Sequence, residues 1–250
     1  MSQHHPTTPK YNHAATETTS TASFGNRRSE CSFCDIVSGD EPVGETNPSV
    51  EGFAVPLHTG QFAVFPDAAP IGPRHTLIVP RTHCLSFARL TPSDRSRAVG
   101  LVDRLTDSLA TPDDHEPVVF EHGSCEETGS VGCSITHAHL HLLFLPSGTV
   151  SGFSHSEEFD RHSGLTTAWA SLGRTDYYLY GRADSSTWAT PVAEDPALAC
   201  SMFLRKRFAA AVDRTDLADY RRYQRQATDD MLPEVERTRR ELLNVDDNSL

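Results

Sequence analysis

No apolar run in this chain approaches the roughly 20 residues that a membrane-spanning helix needs, so no such span is expected. The N-terminus has no basic patch followed by an apolar core, and a secretory leader is therefore not expected either. Positive charge is short: 22 Lys and Arg against 34 Asp and Glu leave a formal net charge of -12. Binding to a phosphate backbone draws on clustered Lys and Arg, so nucleic acid is not the expected partner. A small phosphorylated ligand cradled by backbone N–H groups is compatible with that charge. Six cysteines in 250 residues, only two of them at a diagnostic spacing, fit a reducing compartment better than a disulfide scaffold. The cytoplasm is the expected location. Residues 1–28 are nearly free of aliphatic side chains and rich in Ser, Thr, His and Pro. Such a segment buries too little apolar surface to offset its ordering entropy, so a disordered tail is expected there.

The most informative stretch is Ser134-Ile135-Thr136-His137-Ala138-His139-Leu140-His141-Leu142-Leu143. Read as a β-strand, its side chains alternate between two faces with period two. His137, His139 and His141 then share one face, and Ala138, Leu140 and Leu142 bury the other. Three successive imidazoles are costly to desolvate for packing alone. Imidazole ligates metals, moves protons near neutral pH and attacks phosphorus. The reading requires the central ring to be open to a ligand. Just before it, His122-Gly123-Ser124-Cys125-Glu126-Glu127-Thr128-Gly129-Ser130-Val131-Gly132 is a loop with three glycines, small enough to bring backbone N–H groups close to an anion.

The remaining elements frame this stretch. Cys31-Ser32-Phe33-Cys34 is a CxxC pair, half of a zinc site or a redox pair. Residues 41–58 read as a loop. Strands are predicted over 61–65, 75–80 and 117–121. Thr91-Pro92-Ser93-Asp94 starts a helix, with Ala98, Leu101, Val102, Leu105 and Leu109 on its apolar face. His75 and His83 read as polar residues at strand ends. Residues 147–175 read as irregular. A hairpin is expected over 176–190, with a helix starting at Asp195-Pro196, a further helical stretch over 216–230, and a last helix from Pro233 to Leu243. Arg205-Lys206-Arg207 reads as a solvated helix face, with phosphate contact as its alternative.

His137-Ala138-His139-Leu140-His141-Leu142-Leu143 resembles the histidine-triad (HIT) motif. CSFCDIVSGD resembles the opening of zinc-containing bacterial HIT proteins, GPRHTLIVPRTH their central strand, and Val64-Phe65-Pro66-Asp67 their ribose-binding segment. The order along the chain is also the family's, and the match covers roughly residues 30–146. The resemblance implies an α+β, HIT-like fold: an antiparallel sheet of about five strands with packed helices. A mainly helical C-terminal extension would follow. The expected division is a tail over 1–28, a HIT domain over 29–146 and an extension over 147–250 packed on that domain.

The resemblance also implies a nucleotide hydrolase or nucleotidyltransferase, acting at an α-phosphate of a purine nucleotide, commonly as a homodimer. His139 would be the nucleophile, with His141 and Ser134 assisting. Asp67, Gly132, Ser134 and His141 would bind the nucleotide. Cys31, Cys34, His83 and His137 would hold one structural Zn²⁺, and no organic cofactor is implied. Phosphorolysis, or nucleotide binding with little catalysis, are alternatives on the same fold. A catalytic metal held by all three triad histidines would leave the CxxC pair unexplained. Polynucleotide end-processing is disfavoured by the acidic balance. Two departures from the family pattern stand out: Cys133 where Gln is usual, and Glu121 where Asn is usual. A carboxylate near phosphates is unfavourable unless paired or protonated.

Overall fold

A computed structural model describes residues 31–38, 57–109, 112–126, 137–153, 159–182, 186–192, 202–219 and 230–245. The tail expected over 1–28 lies outside the described residues. So do most of the loop expected over 41–58, the helix start at Asp195-Pro196, and Gly132, Cys133 and Ser134 of the expected anion loop.

The strands are β1 (Leu57–Thr59), β2 (Phe62–Pro66), β3 (Thr76–Pro80), β4 (His115–Gly123), β5 (Leu140–Pro146), β6 (Asp160–His162), β7 (Tyr177–Arg182) and β8 (Thr187–Pro191). The helices are α1 (Ser32–Ser38), α2 (Pro92–Ser108), α3 (Thr149–Phe153), α4 (Leu165–Leu172), α5 (Phe203–Ala211) and α6 (Leu232–Leu243). Among the described residues all strand pairings are antiparallel, in one eight-stranded sheet ordered β1-β2-β3-β5-β4-β7-β8-β6. The fold is α+β, as expected, but the sheet does not stop at five strands. The extension adds β7, β8 and β6 beyond the edge of β4, because Tyr177–Arg182 is a largely apolar strand buried on both faces whose register places it directly on Val118–Gly123.

One sheet face carries Phe62, Val64, Ile78, Val119, Leu140, Leu142, Phe144, Tyr177 and Leu179 beneath α2 and α4. Helix α2 starts as its sequence predicts: the Thr91 side chain caps Asp94 N at 3.2 Å, and Pro92 occupies the first turn. Helix α4 falls in the span expected to be irregular. Leu165, Ala168, Trp169 and Leu172 give it a helical stripe only eight residues long, with a glycine at either end. Phe62, Phe87 and Trp169 stack in a column, at centroid separations of 6.1 and 5.3 Å. Offset aromatic pairs of this kind contribute about 0.5–1.5 kcal/mol each beyond their burial.

The other face is divided. At the β2–β3 end, Ala63, Phe65, Leu77 and Val79 pack under Phe33, Ile36 and Val37 of α1. At the β4–β7 end, Val118, Phe120, Leu143, Tyr178 and Tyr180 pack under Leu204 and Phe208 of α5. The register runs Leu77–His141–Phe120–Tyr180 across the sheet. His141 therefore lies on the seam between two apolar clusters, where polar side chains can collect without interrupting either.

Candidate functional site

Strand β5 begins at Leu140, so His137 and His139 precede the regular strand instead of lying within it. Alternation survives nonetheless. Ala138, Leu140 and Leu142 enter the core under α2, while the three imidazoles gather on the opposite side around Phe33 and each other. Phe33 meets the His137 ring at 6.2 Å and the His139 ring edge-on at 5.3 Å. The His139 and His141 rings are 5.0 Å apart. The Ala138 N–H is held by the Cys84 carbonyl at 2.7 Å, which anchors the segment before the strand.

Hydrogen bonds fix a tautomer for each ring. His137 Nε2 lies 2.8 Å from the Pro80 carbonyl. A carbonyl only accepts, so the proton sits on Nε2 and the Nδ1 lone pair faces Cys31 Sγ and Cys34 Sγ, both at 3.6 Å. His139 Nδ1 lies 2.8 Å from the His137 carbonyl, which places its proton on Nδ1 and leaves the Nε2 lone pair unprotonated. His75 Nδ1 accepts the Ile71 N–H at 3.3 Å, so its proton is on Nε2, 2.9 Å from His141 Nδ1. His141 Nδ1 is consequently the acceptor, and its own proton is on Nε2. The result is a lone pair on His139 beside a donor on His141.

Burial keeps the rings neutral. It pushes His75 and His137 down to about 4 and His122 to about 3, and it lowers His139 and His141 as well. Burial alone would raise Asp67, but the Arg205 guanidinium, His75 and the Ala69 N–H together bring it below the ordinary carboxylate value. Asp67 accepts the Ala69 N–H at 2.8 Å and the Arg205 Nη1–H at 3.1 Å.

The structure corrects several expectations about individual residues. His139 is 8% exposed. Arg205, expected on a solvated face, is 2% exposed and turned into the histidine site, while Lys206 is exposed and Arg207 lies over the Phe153 and Phe203 rings. Glu121 is not near the triad: on β4 it alternates with Phe120 and His122 and points to the opposite sheet face. There it accepts from Phe87 N–H and Trp169 Nε1–H, each at 2.8 Å. Burial raises its pKa to about 7.

Two residues that read as ordinary in the sequence join the site. His75 is fully buried against His141, and His122 Nε2 accepts the Leu204 N–H at 3.1 Å. His122 shares the parity of Phe120, the register partner of His141. That parity was legible, but the register that made it matter was not.

Cys31, Cys34, His83 and His137 bring one ligand atom each within 4.8 Å of one another, a set that can hold a metal ion. Cys34 Sγ and His83 Nδ1 are 3.3 Å apart. Asp67, His75 and His141 also meet this proximity test, but the Arg205 cation already occupies Asp67. A surface cleft of about 570 Å³ beside α2, lined by Gln61, Arg97 and Arg104, contains none of the histidines.

The HIT domain family model matches residues 54–146. The uncharacterized HIT-like protein MG132 of Mycoplasma genitalium is 29% identical over 121 residues, covering 47% of this chain and 74% of that protein. Among solved structures, yeast Ap4A phosphorylase Apa2 in complex with AMP is 16% identical over 63% of each chain, with a TM-score of 0.42. A hypothetical histidine triad nucleotide-binding protein, ST2152 of Sulfolobus tokodaii strain7, is 15% identical over 76% of this chain and 98% of that one, with a TM-score of 0.34. Residues 54–146, which carry the three alternating imidazoles, match the histidine-triad (HIT) domain.

Proposed function

We propose that this protein is a nucleotide hydrolase or nucleotidyltransferase that works through a nucleotidyl-histidine intermediate on His139. The observation that carries the reading is the 2.8 Å contact between His139 Nδ1 and the His137 carbonyl. It holds the proton on one nitrogen and leaves the other as a nucleophile at neutral pH. In the first step, Nε2 forms a bond to the α-phosphorus, and the bond to the leaving oxygen or nitrogen breaks with its electron pair. In the second step, water forms a P–O bond, the P–N bond breaks, and a nucleoside monophosphate leaves. His141, with its proton on Nε2, would donate to a nonbridging oxygen in both steps. Preorganised donors of this kind are worth about 3 kcal/mol each. Ser134 and the backbone at Gly132 would complete the anion cradle, and Asp67, whose carboxylate has acceptor sites beyond those taken by Ala69 and Arg205, would receive the ribose. A purine dinucleoside polyphosphate or nucleoside phosphoramidate is the substrate class.

Cys31, Cys34, His83 and His137 would hold one structural Zn²⁺. Two cysteine sulfurs, bound as thiolates, and two imidazole nitrogens suit that ion, and His137 Nδ1 already lies 3.6 Å from both sulfurs. Bound there, the metal would tie α1 to the segment that carries His139. It would leave His137 no part in proton transfer. No organic cofactor enters this reading. The cytoplasm is the proposed location, since among the described residues Cys31, Cys34, Cys84 and Cys125 form no disulfide; among the described residues no helix is long and apolar enough to cross a membrane. Association as a homodimer is part of the proposal, checked by light scattering.

The test is product identification by mass after incubation with a dinucleoside polyphosphate and an adenosine phosphoramidate. Wild type should release a nucleoside monophosphate and His139→Asn should not; equal rates would refute the nucleophile. Added phosphate that turns one product into a nucleoside diphosphate would make the enzyme a phosphorylase. The low exposure of His139 favours a second reading, nucleotide binding with little turnover. Under that reading both proteins bind the nucleotide and neither turns it over.

A further inference from the structure

The buried charge beside the triad comes from outside the family domain. Arg205 lies in α5, well beyond residue 146, yet its guanidinium spans three acceptors around the β2–β3 connection. Nη1 donates to Asp67 Oδ2 at 3.1 Å, Nη2 to the Ala69 carbonyl, and Nε to the Leu217 carbonyl at 3.3 Å. A planar fork of five N–H donors can satisfy such a set at once, which a lysine ammonium cannot do with the same geometry. The same Asp67 Oδ2 lies 3.6 Å from His75 Nε2 and 3.7 Å from His141 Nδ1. The carboxylate therefore sits between a permanent cation and two imidazoles that already share one proton along a 2.9 Å contact.

We propose that Arg205 is a positioning residue of the histidine site: by pairing with Asp67 it keeps the His75–His141 pair uncharged and holds His141 as an Nε2–H donor. The proposal rests on the reading that His141 donates to the substrate phosphate. Asp67 is 7% exposed and Arg205 is 2% exposed, so water contributes little to neutralising either. A buried carboxylate stripped of its cation is costly and recruits a proton to its neighbourhood.

The titratable and charged groups around that carboxylate and its two imidazoles are His75 just before β3, His141 and His139 on the β5 segment, His122 on β4 and Arg205 on α5. His139 Nδ1 is committed to the His137 carbonyl, and His122 Nε2 to the Leu204 N–H. His75 Nδ1 is committed to the Ile71 N–H. Two lone pairs remain for an added proton, His139 Nε2 and His141 Nδ1, and His141 Nδ1 is the one 3.7 Å from Asp67 Oδ2. Protonation there turns the His75 Nε2–H contact from attractive to repulsive and breaks the arrangement that orients His141. The direction agrees with the electrostatics of the intact site, where Arg205 disfavours charge on His75, His139, His141 and His122.

The experiment uses full-length protein labelled with ¹⁵N-histidine, read by NMR at pH 7.5 alongside steady-state kinetics on a dinucleoside polyphosphate. In wild type, His141 should show the neutral Nε2–H signature. Arg205→Met should show His141 protonated on both nitrogens, with kcat lowered on the order of tenfold and KM changed less. Arg205→Met combined with Asp67→Asn, which removes both charges, should return His141 to the neutral signature. Arg205→Lys should keep His141 neutral. An unchanged His141 signature in Arg205→Met overturns the proposal, as does a doubly protonated His141 in wild type or in Arg205→Lys. The last two measurements decide the matter even where Arg205→Met does not fold. Because the signature is read without substrate, wild type that lacks turnover but shows the expected spectra refutes the enzymatic reading and upholds the pairing of Arg205 with the histidines.

Discussion

The Glu121 carboxylate accepts the Trp169 indole N–H at 2.8 Å, on the sheet face opposite the histidines. Its other oxygen accepts the Phe87 N–H, also at 2.8 Å. One carboxylate thus ties β4 to the turn before α2 and to α4. Burial raises its pKa from 4.5 to about 7. The folded chain therefore keeps a proton that the unfolded chain sheds above about pH 4.5. This group's contribution to stability is fully present below pH 4.5 and is lost as pH rises through about 7. We expect Glu121→Gln to remove that dependence. The stability difference between wild type and variant should shift by about 3 kcal/mol between pH 4.5 and pH 8, read by urea denaturation. A difference that stays constant with pH would refute it.

The cysteine–histidine cluster gives a second prediction. Purified full-length protein should contain about one zinc per chain, as a closed structural site demands. Cys34→Ser, which removes the sulfur 3.3 Å from His83 Nδ1, should lose most of the metal and lower the thermal midpoint. Elemental analysis and a melting curve check both. A metal-free protein with the wild-type midpoint counts against the cluster as a zinc site.

Arg74 gives a third. It has a left-handed backbone, φ 51°, in the β2–β3 connection. Its Nε and Nη2 donate to Glu241 at 2.9 Å, and its N–H donates to Glu234 Oε1 at 3.0 Å. This bidentate pair docks α6 onto the connection that carries Asp67 and His75. Arg74→Met should destabilise the fold by about 1–3 kcal/mol. A double-mutant cycle with Glu241→Gln should show strong coupling; additive losses would mean that the pair contributes nothing.

Gly123 gives a fourth. A β-carbon at this position would overlap the Tyr177 ring, which is fully buried and whose Oη accepts the Ala88 N–H at 3.3 Å. Gly123→Ala should cost about 1–3 kcal/mol by overpacking. Near-ultraviolet circular dichroism should report displaced aromatic rings; an unperturbed spectrum with unchanged stability would refute the crowding.

What the sequence disclosed and what it hid follow one physical line. Periodicity revealed β2, β3, the α2 start with its Thr91 cap, the β7–β8 hairpin and the alternation of the three imidazoles, because each is encoded within a dozen residues. The addition of β7 to β4 depends on pairing across more than fifty residues, and no local pattern carries it. Glu121 looked like a carboxylate among phosphates because the sequence shows its neighbours and not its face; one step of alternation sends it to Trp169. Arg205 looked solvated because Lys206 and Arg207 flank it, and only the docking of α5 separates the one that turns inward. In isolation the CxxC pair reads two ways, and only the fold brings its sulfurs within 4.8 Å of the His83 and His137 nitrogens.

The continuous sheet has a practical consequence for anyone who would trim this protein to its recognisable family segment. Ending the chain after Pro146 strips β4 of its neighbour along six paired residues, Val118 to Gly123, and leaves a bare, sticky margin of unsatisfied amides. The same cut discards the guanidinium that balances Asp67 and the two glutamates that hold Arg74. Such a fragment would retain the signature motif and lose much of the scaffold that arranges it. Failure of the fragment to stay soluble or to turn over substrate would therefore say nothing against the intact molecule.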